Sequence, residues 1–272
     1  FLYPNTFGMN MLPPAIATFS AILKNRGHAV QVFDTTYYAI DFGIDSEGSK
    51  EDRLNVVPYT QEMEKKNLRL KDSNWKNDLN KKVNEFKPDL LALSCTEDMW
   101  ELGVKLLHVI KNYKLKNNIP VIVGGVFPTA APEALLNYPV IKYVGIGEGE
   151  KTIINFAEAI RLGKPLNNIP NIWGKIKDGS IFKNQLGPLV NINDYQTDFS
   201  LFDERRFFRP MGGKIFKTVP IETYRGCPYR CTYCNSPMQI QIAKTNNQGK
   251  YLRRKETDEV RERLLELREQ YS

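Results

Sequence analysis

The sequence predicts an α/β protein, a doubly wound parallel sheet followed by the start of a second, shorter unit. Three observations carry this. Strand-like and helix-like patterns alternate through the first 160 residues. Two of the strand candidates are continuous apolar runs, the signature of strands buried on both faces. Cysteine is then sparse until three of the chain's four fall close together, at Cys227, Cys231 and Cys234.

The elements follow in order. "PPAIATFSAILKNRGHAV" has Pro at a helix start, apolar residues at helical spacing, and Gly27 just past the end. "AVQVFD" alternates as a short strand ending at Asp34. Residues 41–80 are polar and weakly periodic and are expected to be an insertion of loops with at most one helix. "PDLLALS" and "IPVIVGG" read as buried strands, with "MWELGVKLLHVIKNYK" as one amphipathic helix between them. "APEALLN" is a short helix, "IKYVGIG" a strand, and "GEKTIINFAEAIRLG" a helix stopped by Gly163. This β-α-β-α order implies a parallel sheet with helices on both faces. Ligands in such sheets sit beyond the carboxyl ends of the strands.

Residues 1–163 are therefore expected to form the first domain, interrupted by the 41–80 insertion. Residues 164–203 read as a β-hairpin through Asp178-Gly179 and an irregular linker. The second domain is expected over 204–272, with "TVPIETYRGC" as a strand running into the cysteine loop and "DEVRERLLELREQYS" as a helix.

Composition narrows the function classes. The chain has 272 residues and a net charge of +7. All of that charge lies in residues 204–272, which hold 15 Lys/Arg against 8 Asp/Glu. Such a tail is either a solvated helix face or lies near an anionic ligand or partner. A single-stranded nucleic acid needs stacking aromatics among the basic residues, and the tail lacks them, so nucleic acid is not expected. No run of about 18 apolar residues occurs, so no membrane span is expected. Four cysteines in a chain this long do not make a disulfide framework, and a reducing cytoplasm is expected.

The cysteine spacing is C-x3-C-x2-C within "RGCPYRCTYC". Thiolates are soft ligands and select zinc or iron–sulfur clusters. Structural zinc wants four ligands. No fourth is near: Cys95 lies in the first domain, and the two histidines are His28 and His108. Three thiolates would leave one metal position open for a ligand. A zinc-dependent binder remains the alternative on the residues alone.

The wider stretch "ETYRGCPYRCTYCNSP", with Tyr233 before the last cysteine, resembles the first strand and loop of the radical S-adenosylmethionine (SAM) enzymes. The resemblance implies that Cys227, Cys231 and Cys234 hold a [4Fe–4S] cluster whose fourth iron chelates SAM. It implies that Tyr233 lies near the cluster and SAM. It further implies reductive cleavage of SAM to a deoxyadenosyl radical.

A parallel-sheet domain directly before such a unit resembles the cobalamin-binding, Rossmann-like domain. There a Ser-x-Leu/Thr element follows one buried strand and a Gly-Gly pair follows the next. This chain has "LSCT" with Ser94 and Thr96, then "VGG" with Gly124 and Gly125. The resemblance implies that these four residues line the cobalamin tail. Physically, a small hydroxyl leaves room and can hydrogen-bond, and paired glycines let the backbone approach closely. Glu148 and Glu150 would either contact a ligand or sit as carboxylates at a helix N-terminus. The chain departs from the many cobalamin proteins that carry an Asp-x-His-x-x-Gly loop. Its equivalent, "YPNTFGMNMLPP", has no His, so cobalamin is expected without a His lower ligand. Cys95 reads as packing rather than as a nucleophile, with no histidine placed beside it.

The resemblance thus implies a cobalamin-binding radical SAM enzyme. Methyl transfer to an unreactive centre is the first expectation. The alternatives are cyclisation or rearrangement of the anaerobic Mg-protoporphyrin ester cyclase type, and a non-catalytic cobalamin-binding fragment. A small-molecule or peptide substrate and a reductant such as flavodoxin or ferredoxin are the expected partners. The second unit would be the start of a (β/α) partial TIM barrel. Barrels of that general kind need ~200 residues, so the unit is expected to be truncated and inactive alone.

Overall fold

The computed structural model describes residues 1–7, 11–40, 66–176, 178–211 and 214–271. Strand β1 (Leu2–Tyr3) is followed by α1 (Pro14–Lys24) and β2 (Phe33–Asp34). Then come α2 (Trp75–Phe86), β3 (Leu91–Ser94), α3 (Trp100–Val109), α4 (Lys111–Lys116) and β4 (Val121–Gly124). Two short helices, α5 (Val126–Ala130) and α6 (Pro132–Leu136), lead to β5 (Tyr143–Gly145) and α7 (Glu150–Arg161). Strands β6 (Ile172–Lys175) and β7 (Ile181–Lys183) complete the sheet.

The sheet order is β2-β1-β3-β4-β5-β6-β7. The first five strands are parallel. They have the doubly wound order whose switch point lies between β1 and β3. The expected fold class is borne out: a mixed α/β domain with a parallel-dominated sheet.

Side chains alternate across this sheet with the two-residue period of a strand. Leu91, Leu93, Val121, Val123 and Val144 face one way, into a core shared with α2, α3 and α6. Ala92, Ile122 and Tyr143 face the other, against Ile153, Phe156 and Ala157 of α7. On this second face α1 packs beside α7. The opposite flank of α1, Ile16 and Ala17, packs on Phe199 and Phe202 of the linker and on Phe207 and Leu267 of the second unit.

Four elements differ from expectation. The helix α2 begins inside the span expected to be an insertion. Asn74 caps it, its side chain accepting the Lys76 and Asn77 N–H groups, and Lys87 closes it in the left-handed region at φ 50°. It buries only Leu79 and Val83, one turn apart, so its apolar stripe is too narrow to stand out in the sequence. The rest of the expected insertion, residues 41–65, lies outside the described residues. The single helix expected over 99–114 is two, broken at Ile110, which stays buried in the core. The hairpin expected in the connector forms, but it belongs to the sheet. Its strand β6 pairs antiparallel with β5, satisfying an edge that would otherwise be open.

The fourth difference concerns the second unit. Two 3₁₀ turns, Ile192–Asp194 and Glu204–Phe207, lead into the hairpin β8 (Phe208–Met211) and β9 (Lys214–Lys217). The strand before the cysteines is short, β10 (Tyr224–Arg225), and pairs antiparallel with β11 (Arg253–Arg254). An unexpected helix, α8 (Ser236–Thr245), follows the cysteines directly, and α9 (Thr257–Tyr271) comes last.

Leu79 is fully buried. Leu79→Ala should therefore cost about 2–5 kcal/mol, the range for a cavity left in a packed core. A lowered urea midpoint with unchanged slope is the expected readout. A shift under about 0.5 kcal/mol would mean that α2 does not pack where it is described.

Candidate functional site

At the carboxyl ends of β3, β4 and β5 lies a cavity of about 370 Å³. Ser94, Gly124, Gly125, Gly145 and Gly147 form its sheet side. Arg225, Gln239, Ile242, Gln248 and Tyr251, from the segments flanking the cysteine loop, form the other. Two larger cavities exist. One, of about 590 Å³, opens at the amino ends of the strands beside Leu90 and Leu91, and another, of about 470 Å³, lies beside β2. Neither borders the cysteine segment, and doubly wound sheets bind ligands at the carboxyl ends of their strands.

The sheet side is built from glycine. Ser94 and Gly124 are register partners on β3 and β4. A side chain on Gly124 would project into open space, so its absence enlarges the cavity. Gly125 is required for another reason. Its φ is +122°, and a Cβ would lie 2.6 Å from the Cys95 carbonyl oxygen. Gly147, with φ +72°, also faces open space. The Thr129 hydroxyl joins the two glycine loops, donating to the Gly125 carbonyl at 2.8 Å and accepting the Gly147 N–H at 2.9 Å.

The structure brings three of the four expected cobalamin-tail residues, Ser94, Gly124 and Gly125, to this cavity. Thr96 is exposed and is not among the residues lining it. Cys95 is buried beneath Gly125. Burial, with the charge of Asp98, pushes its thiol up to about 12, so it stays protonated and packs. The histidines are engaged elsewhere: His28 with Glu158 at 3.0 Å, and His108 Nδ1 with the Val104 carbonyl at 3.0 Å.

The cysteine loop leaves β10 through Gly226, whose φ is +99° and where a Cβ would meet the Tyr251 carbonyl oxygen at 2.6 Å. Cys227 is half-buried, Cys231 and Cys234 are exposed, and all three are free thiols. Tyr233 is 91% exposed. The Ser236 N–H, at the start of α8, donates to Cys234 Sγ at 3.4 Å. Among the described residues, no three Cys, His, Asp or Glu side chains close on a common point at metal-ligand spacing.

The feature that residue-by-residue reading missed is how the loop is held. Arg225 sits two residues before Cys227. Its Nη1 donates to Glu148 at 3.1 Å and to Glu150 at 2.7 Å. Its Nε and Nη2 donate to Glu222 at 2.8 and 3.0 Å. Arg253, the register partner of Arg225, also donates to Glu148, at 2.9 Å through Nη1. Glu148 and Glu150 thus meet neither a bare helix end nor open solvent. Burial pushes the Glu148 carboxyl up. Hydrogen bonds from Arg253 and the Val190 N–H, with the charges of Arg225 and Arg253, outweigh this and hold it below the usual range. Burial disfavours the Arg225 charge, but Glu222, Glu150 and Glu148 together hold it above its usual value. The alternation "GIGEGE" was the available signal, but its partners lie about 75 residues away.

Other tail cations also find partners on the linker. Lys255 Nζ donates to the Tyr195 carbonyl at 2.9 Å, and Arg263 Nη2 to the Thr197 hydroxyl at 3.0 Å.

Comparison with known proteins follows from this geometry. Residues 60–157 match the B12 binding domain family. The chain is also structurally similar to the radical SAM methyltransferase TsrM of Kitasatospora setae. The TM-score is 0.61 at 20% identity, over 99% of this chain and 45% of that one.

The chain shares the fold of this enzyme, and its residues 60–157 are similar to the B12 binding domain family.

The cobalamin-dependent SAM radical enzyme OxsB has the same fold, with a TM-score of 0.60 at 17% identity over 90% of this chain and 32% of that one. Among curated sequences, the uncharacterized methyltransferase PH0819 of Pyrococcus horikoshii is 28% identical over 167 residues, 60% of this chain and 35% of the relative. The anaerobic magnesium-protoporphyrin IX monomethyl ester cyclase of Synechocystis is 31% identical over 119 residues, 43% of this chain and 23% of the relative. The chain spans less than half the length of each of these proteins. Among the described residues, no helix is long and apolar enough to cross a membrane.

The carboxylates holding the parallel-sheet domain to the cysteine segment give a pH signature. Glu148 titrates below its unfolded value of 4.5 in the folded chain. Its contribution is complete above that value and is lost as pH falls through the lower folded one. Glu148→Gln should lower the melting temperature at neutral pH and flatten the acid side of the stability profile. Thermal melts from about pH 6 down to about pH 3 read this. An acid side as steep as in the unsubstituted chain would refute the pairing.

Proposed function

We propose that this chain is the corrinoid- and cluster-binding part of a radical SAM enzyme, and that the enzyme transfers a methyl group to an unreactive centre. One observation carries the reading: a single cavity has the Ser94–Gly124–Gly125 rim on one side and the flanks of the cysteine loop on the other. A corrinoid-carried methyl group and a reactive cluster must work at one place, and this is where the two parts of the chain meet.

The residues present fit both groups. For the corrinoid tail, the Cα atoms of Gly124 and Gly147 face empty volume, and the Ser94 hydroxyl borders it. The chain has two histidines and both are engaged elsewhere, so no imidazole of this chain is placed to ligate cobalt. For the cluster, the donor set is three free thiols on one loop, the soft set that iron–sulfur clusters take. Bound there, a [4Fe–4S] cluster would supply the electron that cleaves SAM. The chain's own part is to hold and exclude. Gly226 and Arg225 orient the loop, the Ser236 N–H at the start of α8 donates to Cys234 Sγ, and Tyr233, beside Cys234 in the chain, would contact SAM. A reductant such as flavodoxin or ferredoxin would reduce the cluster, in a reducing compartment.

A second reading, ring formation rather than methyl transfer, is favoured by the likeness to the Synechocystis cyclase. Both readings place the same groups at the same residues.

Anaerobic gel filtration after mixing with hydroxocobalamin, before and after reconstitution with iron and sulfide, tests the assignment. The expected result is corrinoid in the protein peak, with a spectrum lacking nitrogen ligation. About four irons per chain are expected after reconstitution, lost in the Cys227→Ala/Cys231→Ala/Cys234→Ala variant. Folded protein that carries no corrinoid, or that takes zinc and no iron, would overturn the reading. Methyl transfer and ring formation separate on the products formed from labelled SAM.

A further inference from the structure

The end of β5 and the loop after it do two jobs. Gly145, Gly147, Glu148 and Glu150 all border the cavity, and Glu148 and Glu150 also reach Arg225. A continuous set of contacts runs between the two ends. The Gly125 carbonyl accepts from Thr129, whose hydroxyl accepts from Gly147 N–H. Next in the chain is Glu148, which accepts from Arg225, and Arg225 is separated from Cys227 only by Gly226. Gly226 itself passes close to the Tyr251 carbonyl, which leaves no room for a side chain where the loop leaves Arg225.

We propose that Arg225 is a positioning residue: through Glu148 and Glu150 it holds the cysteine loop to the glycine rim of the cavity, so that filling the cavity and metallating the loop favour each other. The proposal rests on the corrinoid-and-cluster reading above. The physical reason is ordering. A group seated on the rim fixes the 145–150 segment. That segment fixes Arg225, and the cysteine loop then loses less freedom when it closes on metal. Coupling of this kind is reciprocal, so metal in the loop tightens corrinoid binding by the same factor.

Arg253 makes the role of Arg225 separable from folding. It holds Glu148 and also donates to the Val190 carbonyl at 2.7 Å. With Arg225 replaced, this second arginine still joins the sheet to β11. What is lost is the direct tie to the cysteines.

The test is a hydroxocobalamin titration, read in the visible spectrum, of the chain with and without anaerobic iron–sulfide reconstitution. In the unsubstituted chain, reconstitution should tighten corrinoid binding by at least about fivefold. Arg225 also lines the cavity, so Arg225→Gln should weaken corrinoid binding in both forms, but the ratio between them should fall to about one. Arg225→Lys keeps the charge but not the forked geometry, and should restore part of it. Independently, hydroxocobalamin should slow amide hydrogen exchange across residues 226–235 of the unsubstituted chain, a measurement that needs no variant to fold. Equal corrinoid affinity with and without the cluster, unchanged exchange in the loop, or a full ratio in Arg225→Gln would each overturn the proposal while leaving the binding assignments intact. Absence of corrinoid binding in every form would instead remove the underlying reading, and the proposal with it.

Discussion

The arrangement depends on one guanidinium. Arg225 gathers Glu148, Glu150 and Glu222 around itself, and Arg253 closes the group from the neighbouring strand. Taking five charged side chains out of water costs free energy that Coulomb attraction alone does not return. The group is stable because Arg225 and the carboxylates are hydrogen-bonded to one another in good geometry. Glu150 is only 3% exposed, so losing its arginine would leave a buried, unpaired carboxylate. That penalty keeps the sheet and the cysteine segment in one relation, and the cavity between them exists only while they stay so.

The glycines act on the same relation from the other side. Gly125 and Gly226 occupy backbone conformations with positive φ in which a Cβ would strike a carbonyl oxygen at 2.6 Å. One lets the end of β4 pass close under Cys95, and the other lets the cysteine loop pass close over Tyr251. Gly124 and Gly147 have no such constraint and face empty volume. Glycine therefore has two uses here, close packing of backbone on backbone and room for a ligand, and the cavity needs both within a few residues.

A second set of contacts ties the connector back to the first domain. Arg206, with a side chain 1% exposed, pairs with Asp34 at 2.9 Å and donates to the Met11 carbonyl at 2.8 Å. Asp198 accepts from Ser20 and Lys24 of α1. The α1 helix is thus packed on two flanks, by the sheet and by the linker. Five of the fifteen basic residues after position 203 make such internal contacts: Arg206, Arg225, Arg253, Lys255 and Arg263 all bind groups of the linker or the first domain. The basic tail is in part a set of internal fastenings, which a net charge does not distinguish from a surface patch.

The sequence by itself determined the parallel sheet, because a strand buried on both faces must read as an unbroken apolar run. It also marked the three-cysteine stretch, because thiolate spacing is local, while Ser94, Gly124 and Gly125 were marked by a resemblance and were brought to one cavity only by the fold. It did not disclose α2, whose apolar stripe is two residues, or the place of β6 in the sheet, since a hairpin's sequence fixes its own turn but not the edge it joins. The pairing of β10 with β11 and of Glu148 and Glu150 with Arg225 was likewise decided only in three dimensions. Those partners are separated by 28 to 77 residues, and no local pattern records which buried charge will meet which. Local periodicity reports what each segment buries, while the tertiary structure alone decides which segments share one dry, charged seam.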